Sequence, residues 1–227
     1  MTAEERLRSL AKSQNWLKPA LRAISRARCR AWDLFYRVDT CGEIPLLDLN
    51  FKNEHKTAGL EYQSHHPGII RDGLRSLGIR YEDYSFIDFG CGKGRVLLIA
   101  SEFPFRRITG LEFAPQLAEC ARQNLKTYRG RKRRCCDIET VTGDATEYEL
   151  PPEPQLLYFY SPFAPSVLRE VINNIDASLQ RRPRELLVLF SGIMPMRDLG
   201  FGARPQYERL QRTRYYDLYR YRCQTPL

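Results

Sequence analysis

The stretch FIDFGCGKGR, residues 86–95, sets the architecture of this chain: an apolar run carries one acid and then leads into glycines at positions 90, 92 and 94. Inside a helix or strand, glycine costs on the order of 0.5–1 kcal/mol relative to alanine. Such a cluster directly after a buried strand therefore needs a local reason. A ligand held against bare backbone supplies one, because N–H groups and a helix N-terminus can then approach it closely.

From Tyr84 onward, short apolar runs alternate with helical segments, which indicates right-handed crossovers and a Rossmann-like, doubly wound, mainly parallel α/β sheet. The aromatic stretch 207–223 has no helical period and predicts an antiparallel C-terminal hairpin, which completes seven strands. Strands are predicted at residues 85–89, 107–111, 138–142, 156–160 and 186–190. Helices are predicted at residues 94–102, 115–128 and 165–180, the last two starting with the proline that suits a first helical turn.

The N-terminal part has a different pattern. Apolar residues recur at helical spacing over residues 3–37, which predicts a basic amphipathic helical extension divided at Pro19. A loop-rich connection (38–67) and a short helix (68–77) follow, so we divide the chain into an extension with its connection (1–60) and the α/β domain (61–227). The apolar stripe, which includes Ile24, Ala31 and Phe35, is expected to cover the domain; lying on a membrane is the alternative.

The charge is unevenly placed. The net charge of +9 gathers in the first forty residues, in residues 129–134 and in residues 204–222. Such clusters predict salt-sensitive attraction to an acidic partner, either nucleic acid, an acidic protein or an anionic membrane surface. A solvated face with a basic loop is the simpler alternative, and charge alone does not choose between them.

The composition bears on the cellular location of the protein and on whether it has disulfides or a metal site. The sequence has no apolar run of about 18 residues and a charged N-terminus, so we expect no transmembrane segment and a cytoplasmic location. Seven scattered cysteines without a Cys-x-x-Cys pair argue against a disulfide framework and against a metal site.

Two nucleotide cofactors bind at such a glycine turn. A nicotinamide-binding turn requires Gly-x-Gly-x-x-Gly, but Arg95 occupies the third glycine position. Glu112 ends the next strand, where a carboxylate can accept hydrogen bonds from both ribose hydroxyls of either cofactor. Asp144 lies just past the third strand, where its carboxylate can accept a hydrogen bond from the exocyclic amine of an adenine.

In order and at matching strand ends, the segments FIDFGCGKGR, GLEF, GDAT and LLYFYSPF resemble class I, seven-β-strand methyltransferases, over roughly residues 60–225. More narrowly, YRVDTCGEIPL followed by GLEYQSHHP is similar to uncharacterised bacterial methyltransferase-domain proteins. The resemblance implies S-adenosylmethionine as cofactor and transfer of its methyl group to an acceptor. It implies cofactor contacts from Asp88, Gly90, Cys91, Gly92 and Gly94 in the first motif, Glu112 and Phe113 at the ribose, Asp144 and Ala145 at the adenine, and Tyr62 and Tyr160 as lining residues.

Ser161, Pro162 and Phe163 follow the fourth strand, where amino-directed methyltransferases commonly carry Asn/Asp/Ser-Pro-Pro-aromatic. These three are the catalytic candidates and suggest a nitrogen acceptor on protein lysine, RNA or a small molecule. The missing second proline argues against an adenine or cytosine target, and a strand-ending proline with a packed phenylalanine is the alternative. The competing function is a non-catalytic nucleoside-pocket protein that binds nucleic acid or membrane through its basic surfaces.

Five further residues near these motifs have open roles. His65 or His66 could act as a base because histidine titrates near neutrality, although an exposed loop histidine is the plainer interpretation. Cys91 lies where a helix N-terminus could lower its pKa, or is there for its small size. Lys93 and Arg95 are assigned to the carboxylate end of the cofactor or to solvent.

Overall fold

A computed structural model describes residues 23–24, 26–44, 62–130, 133–160, 163–192 and 200–222. Residues 23–24 and 26–36 are helical and form α1. Two short strands, β1 (Glu43–Ile44) and β2 (Tyr62–Gln63), pair antiparallel. They were not predicted, because two residues are too few to show a periodicity. The predicted helix before residue 23, its division at Pro19 and most of the connection lie outside the described residues.

The remaining elements follow the predicted alternation, with bounds close to those expected from the sequence. The strands are β3 (Ser85–Phe89), β4 (Arg107–Glu112), β5 (Ile138–Thr142), β6 (Gln155–Tyr160), β7 (Leu186–Ser191), β8 (Tyr207–Arg212) and β9 (Tyr216–Tyr221). The helices are α2 (Pro67–Arg75), α3 (Arg95–Ala100), α4 (Pro115–Thr127) and α5 (Pro165–Arg181), with short 3-10 turns at Tyr81–Asp83 and Phe201–Ala203.

The strands form one seven-stranded sheet in the order β5-β4-β3-β6-β7-β9-β8. The first five pair in parallel, and β9 runs antiparallel to both of its neighbours. The predicted doubly wound sheet with a C-terminal hairpin is therefore confirmed. Strand order reverses between β3 and β6, which places a crevice at the carboxyl ends of these strands, where open α/β sheets bind ligands.

Two apolar layers cover the sheet. One face packs against α5 and carries Phe159 and Phe190, and the other packs against α2 and α3. Register places Asp88 beside Tyr158, and Tyr160 beside Ser191. Because side chains alternate between faces along a strand, these four polar residues all project from the α2/α3 face.

A buried polar cluster joins α1 to the first turn of α3. The Asp33 carboxylate accepts hydrogen bonds from the backbone N–H of Thr40 at 2.7 Å and of Cys41 at 2.6 Å. Arg95 is buried and donates to Asp33 Oδ1 at 3.2 Å and to Thr40 Oγ1 at 2.7 Å. The expectation that Arg95 faces cofactor or solvent is therefore wrong, because its guanidinium binds the N-terminal segment.

Lys93 makes a second link of the same kind. Its Nζ donates to the Asp39 carboxylate at 3.0 Å and to the Cys41 carbonyl at 3.3 Å. The lysine is buried, so its assignment to cofactor or solvent is also wrong. The segment after α1 is thus held directly against the glycine turn.

The apolar stripe of the extension does not cover the domain at the described positions. The face of α1 toward the domain carries Trp32 and Tyr36, whose rings lie 6.3 and 5.4 Å from the ring of Tyr128. Ile24 and Phe35, which belong to the predicted stripe, are 49% and 76% exposed. The covering role is wrong for these residues because aromatic and polar side chains occupy the inner face.

None of the helices in the described ranges has the length and hydropathy needed to cross a membrane. The six cysteines within those ranges are free thiols, of which Cys91 and Cys135 are buried.

Candidate cofactor site

The glycine turn between β3 and α3 has a backbone that favours glycine. Gly90, Gly92 and Gly94 have φ angles of 77°, 54° and 82°, in the left-handed region. A Cβ on Gly94 would also lie 3.0 Å from the Cβ of Ala121 on α4. The N–H groups of Gly90 and Cys91 donate to the Leu111 carbonyl at 2.9 and 3.0 Å, which fixes the turn to β4.

Glu112 lies at the end of β4 and joins the turn to the next helix. Its Oε2 accepts from the N–H of Gly92 at 2.8 Å and its Oε1 from the N–H of Ala114 at 3.0 Å. Burial raises the pKa of Glu112 to about 7, against the opposing effect of backbone hydrogen bonds from Ala114, Gly92 and Phe113. A carboxyl group is therefore held beside the bare turn with lone pairs left for a ligand.

Asp88 lies within β3 on the same face, paired with Gly110 on one side and Tyr158 on the other. Its side chain is buried, and no described residue donates a hydrogen bond to its Oδ2. Burial, and then the neighbouring Glu112, raise the pKa of Asp88 well above its ordinary value. A buried oxygen without a partner is uncommon in folded proteins and calls for an explanation such as a ligand.

The end of β5 completes the row of acidic residues. The Gly143 N–H donates to the Glu112 carbonyl at 3.0 Å, so the residue after it, Asp144, follows directly beside Glu112. Asp144 Oδ1 accepts from the N–H and the hydroxyl of Thr146 at 2.8 and 2.7 Å, which shapes the loop. Ala145 is buried against the α5 face. The structure thus brings the predicted strand-end residues together; their contacts with adenine stay predictions.

The segment after β6 is only partly described. Ser161 and Pro162 lie outside the described residues, so their catalytic roles stay predictions. Phe163 is buried in the apolar layer on the α5 face. Its position agrees with a packed phenylalanine rather than with a side chain at the reacting atoms. Tyr62 lies in β2, but its side chain is outside the described part and its lining role also stays a prediction.

His65 lies at the centre of a buried polar network. Its Nδ1 is 2.6 Å from Tyr158 Oη, its Nε2 is 3.2 Å from Ser191 Oγ, and its ring stacks on Tyr160 with centroids 4.0 Å apart. The Ser191 hydroxyl donates its proton to the Tyr215 carbonyl at 2.9 Å. Nε2 must therefore be the protonated nitrogen, and Nδ1 accepts from Tyr158.

This network overturns the interpretation of His65 as an exposed loop residue. Burial lowers its pKa to about 3, with smaller contributions from His66 and Arg95. The ring is neutral and both nitrogens are engaged, so it is poorly suited to act as a base at neutral pH. His66 is exposed and instead caps α2, with its Nδ1 accepting from the Gly68 N–H at 3.1 Å.

Cys91 is buried inside the turn. Burial, Glu112 and Asp88 raise its pKa well above the ordinary value. The expectation that the helix N-terminus lowers this pKa is wrong, because desolvation and two acidic neighbours outweigh it. Small size is the remaining reason for a cysteine at this position.

Sequence reasoning missed the partners of His65. Tyr158 and Ser191 stand in otherwise apolar strands, LLYFY and LLVLFS. A polar residue in a strand that is buried on both faces needs a hydrogen-bond partner, so Tyr158 and Ser191 each indicated a buried hydrogen bond. The partner itself could not be predicted from the sequence, because His65 is 93 positions from Tyr158 and 126 positions from Ser191.

Comparison with known proteins agrees with this geometry. Residues 87–155 match the family described as a methyltransferase domain. The Escherichia coli protein yhhF, named as a putative methyltransferase, aligns with a TM-score of 0.52 at 18% identity over 69% of this chain and 86% of its own. An RNA methyltransferase from Salinibacter ruber, in complex with S-adenosyl-L-homocysteine, aligns with a TM-score of 0.49 at 19% identity over 72% and 95%. No curated protein matches in sequence.

The sheet order, the terminal hairpin and the likeness to yhhF define the fold as that of the class I, seven-stranded methyltransferases. The family match covers β3 to the start of β6, which includes the glycine turn and both buried carboxyl groups. The matched segment, residues 87–155, is thus similar to methyltransferase domains, which use S-adenosylmethionine as cofactor. The search of solved structures found 965 matching chains, so the fold by itself does not identify a methyl acceptor.

Proposed function

We propose that this protein transfers the methyl group of S-adenosylmethionine to a nitrogen acceptor beside the carboxyl end of β6. The observation that carries the proposal is the pair of buried carboxyl groups, Asp88 and Glu112, beside a side-chain-free turn. A domain that had lost its ligand would gain stability by replacing either group with an apolar residue, since each is desolvated.

The residues present fit this cofactor. The orphaned Oδ2 of Asp88 suits a cationic amino group, which would supply its missing partner. Glu112 retains lone pairs for the ribose hydroxyls while it holds the N–H groups of Gly92 and Ala114. When bound, the cofactor supplies a methyl group on a positively charged sulfur.

The residues of this chain contribute to the reaction mainly by orienting the two reacting groups. Holding two reacting groups in line is worth up to roughly 7–11 kcal/mol in well-oriented cases. Tyr160 lies at the end of β6, and the stacked imidazole of His65 fixes the plane of its ring. An aromatic face in this position can stabilise, through the ring quadrupole, the positive charge that passes from the sulfur to the acceptor nitrogen, without reacting with either group.

A nitrogen acceptor must present a free lone pair. A lysine, with an ordinary pKa of about 10.4, has to lose its proton before transfer. His65 does not provide this step, because both of its nitrogens are engaged. The proposal therefore places the accepting groups on the Ser161–Pro162 segment next to Tyr160, in agreement with the polar residue and proline found there in amino-directed enzymes.

The test is transfer of tritium from S-adenosyl-[methyl-³H]methionine to cell extract, divided into protease-treated, nuclease-treated and solvent-extracted portions. Loss of macromolecular label on protease or nuclease treatment identifies protein or RNA. Label that survives both treatments identifies a small molecule, and label that moves into organic solvent identifies a lipid amine. Glu112→Ala should abolish transfer, whereas Glu119→Ala, which removes an exposed carboxylate on α4, should leave it unchanged.

Acid and base treatment of the labelled product tests the acceptor atom. A methylated amine retains its label, whereas a methyl ester releases volatile methanol in base. Base-released label would overturn the nitrogen assignment. Absence of transfer by a protein that still binds the cofactor would favour the non-catalytic nucleoside-pocket alternative.

A further inference from the structure

Helix α1 presents an exposed apolar face to the outside of the molecule. Leu34 is 80% exposed, Phe35 76% and Ile24 49%, which are large fractions for apolar side chains in ordered helix. Residues three and four apart lie on one side of a helix, so a single stripe joins these three through two exposed alanines. We call this stripe the outer face; it consists of Ile24, Ala27, Ala31, Leu34 and Phe35.

The opposite side of α1 is fully committed to the domain. Asp33 is held by Thr40 and Arg95, and the Arg95 guanidinium also lies 4.9 Å from the Trp32 ring centroid. The Tyr36 carbonyl accepts from the Arg129 N–H at 3.0 Å. The helix cannot turn its apolar stripe inward without breaking these contacts, so the exposure of the outer face is built into the fold.

Cationic side chains border the outer face. Arg28 and Arg30 are exposed and, at 100° per residue, lie on its two sides. Residues 26–37 contain four arginines and one acid, Asp33, which lies on the inner side. An apolar stripe between arginines is the pattern of helices that lie in the interface of an anionic bilayer.

We propose that the outer face of α1 docks this protein on an anionic lipid bilayer. Leu34 and Phe35 enter the boundary between headgroups and acyl chains, and Arg28 and Arg30 bind lipid phosphates beside them. The net charge of +9 gives the complementary field that draws the protein to such a surface.

The other candidate occupants fit this surface less well. In a symmetric dimer the same patch meets itself, so the arginines of one helix would approach those of the other. RNA would pair with the arginines but would leave Leu34 and Phe35 exposed to water. A bilayer satisfies the apolar centre and the charged border together.

Docking through α1 would also fix the orientation of the methyltransferase domain. Asp33 on α1 and Asp39 just after it bind Arg95 and Lys93, which lie directly in or after the glycine turn. The helix and the cofactor crevice therefore move as one body on the membrane. This step concerns placement only and holds whatever the methyl acceptor is.

Flotation of the full chain with lipid vesicles tests the proposal. We expect binding to vesicles of phosphatidylcholine with about 30% phosphatidylglycerol, an anionic lipid whose surface attracts arginine side chains, and at least about tenfold weaker binding to phosphatidylcholine alone. The double variant Leu34→Ser, Phe35→Ser should lose binding to anionic vesicles at least tenfold. Arg28→Gln with Arg30→Gln should weaken it and reduce its dependence on salt. Leu210→Ser, which alters a 40% exposed leucine on β8, is the matched control and should bind like the wild type.

All variants alter exposed side chains, and unchanged binding of S-adenosylhomocysteine shows that each is folded. Equal vesicle binding by wild type and the Leu34/Phe35 variant would overturn the proposal. A concentration-dependent dimer that only this variant abolishes, with no flotation, would assign the face to a second copy. Retention on RNA that depends on the arginines alone, again without flotation, would assign it to nucleic acid.

Discussion

Two buried polar sites lie on the same face of the sheet, and only one of them has all its hydrogen-bond partners among the described residues. In the His65 network, both ring nitrogens and the hydroxyls of Tyr158 and Ser191 have partners among themselves or with the Tyr215 carbonyl. In the acidic pair a few residues away, Asp88 Oδ2 has no donor among the described residues.

The difference separates a structural site from a ligand site. Burial acts on both by disfavouring the charged form, which lowers the pKa of His65 to about 3 and raises that of Glu112 to about 7. The histidine stays neutral and its hydrogen bonds support the fold. The acidic pair keeps hydrogen-bonding capacity that the described residues do not use, so a ligand can complete the site.

Breaking the complete site should have the largest effect on stability. His65→Ala removes the hydrogen-bond partner of the buried Tyr158 hydroxyl, one of the two partners of Ser191 and the ring that stacks on Tyr160, so we expect a loss of about 3–4 kcal/mol. Urea denaturation measures it. The control, His66→Ala, removes only an exposed helix cap and should cost about 1 kcal/mol. Equal losses for the two variants would contradict the network.

The two sites should respond to pH in opposite directions. The Glu112 carboxyl ionises near pH 4.5 when unfolded and near 7 when folded, so its contribution to the free energy of unfolding is full below pH 4.5 and falls by up to about 3 kcal/mol as pH rises through 7. His65 protonates near pH 6.5 when unfolded and near 3 when folded, so its contribution is lost as pH falls from 6.5 toward 3.

Urea denaturation between pH 4.5 and 7.5 separates these terms. Relative to the wild type, Glu112→Gln should become progressively more stable as pH rises, because the variant has no carboxylate to desolvate. His65→Gln should become relatively more stable as pH falls. Parallel curves for all three proteins would show that neither group titrates as its burial requires.

The smallest effect on stability is expected in the incomplete site. Burial raises the pKa of Asp88 and so favours its neutral form, which an asparagine matches in shape, so Asp88→Asn should change the free energy of unfolding by no more than about 1 kcal/mol. It should weaken S-adenosylhomocysteine binding more than about tenfold, because an amide cannot ionise toward a cationic group. Calorimetry and urea denaturation together check this, and a large loss of stability with unchanged binding would reverse the assignment.

The sequence predicted most of the sheet because its signals are local. Continuous apolar runs such as LLVLF locate buried strands, and Pro115 and Pro165 begin their helices as expected. The glycine turn and the acidic residues at the strand ends could also be predicted from the sequence, since each lies at a strand boundary. The two-residue strands β1 and β2 were missed, because they depend on pairing between segments about twenty residues apart.

Contacts between segments that are far apart in the sequence could not be predicted from it. Arg95 was assigned to the carboxylate end of the cofactor or to solvent, yet it binds Asp33, 62 positions earlier. Over its described part the extension is the amphipathic helix that was predicted, but the periodicity does not say which side of the helix faces the domain. That choice is made by Asp33 and Trp32, whose partners come from α3 and from the end of α4.

Isothermal titration calorimetry with S-adenosylhomocysteine and with NAD, in two buffers of different ionisation enthalpy, tests the central claim that the acidic pair completes a cofactor site. We expect the first ligand to bind with release of protons, because a cationic group drives ionisation of Asp88, and we expect Glu112→Ala to lose this binding at least about 100-fold. Tight binding of NAD, or S-adenosylhomocysteine binding that is unchanged in Glu112→Ala, would contradict the account.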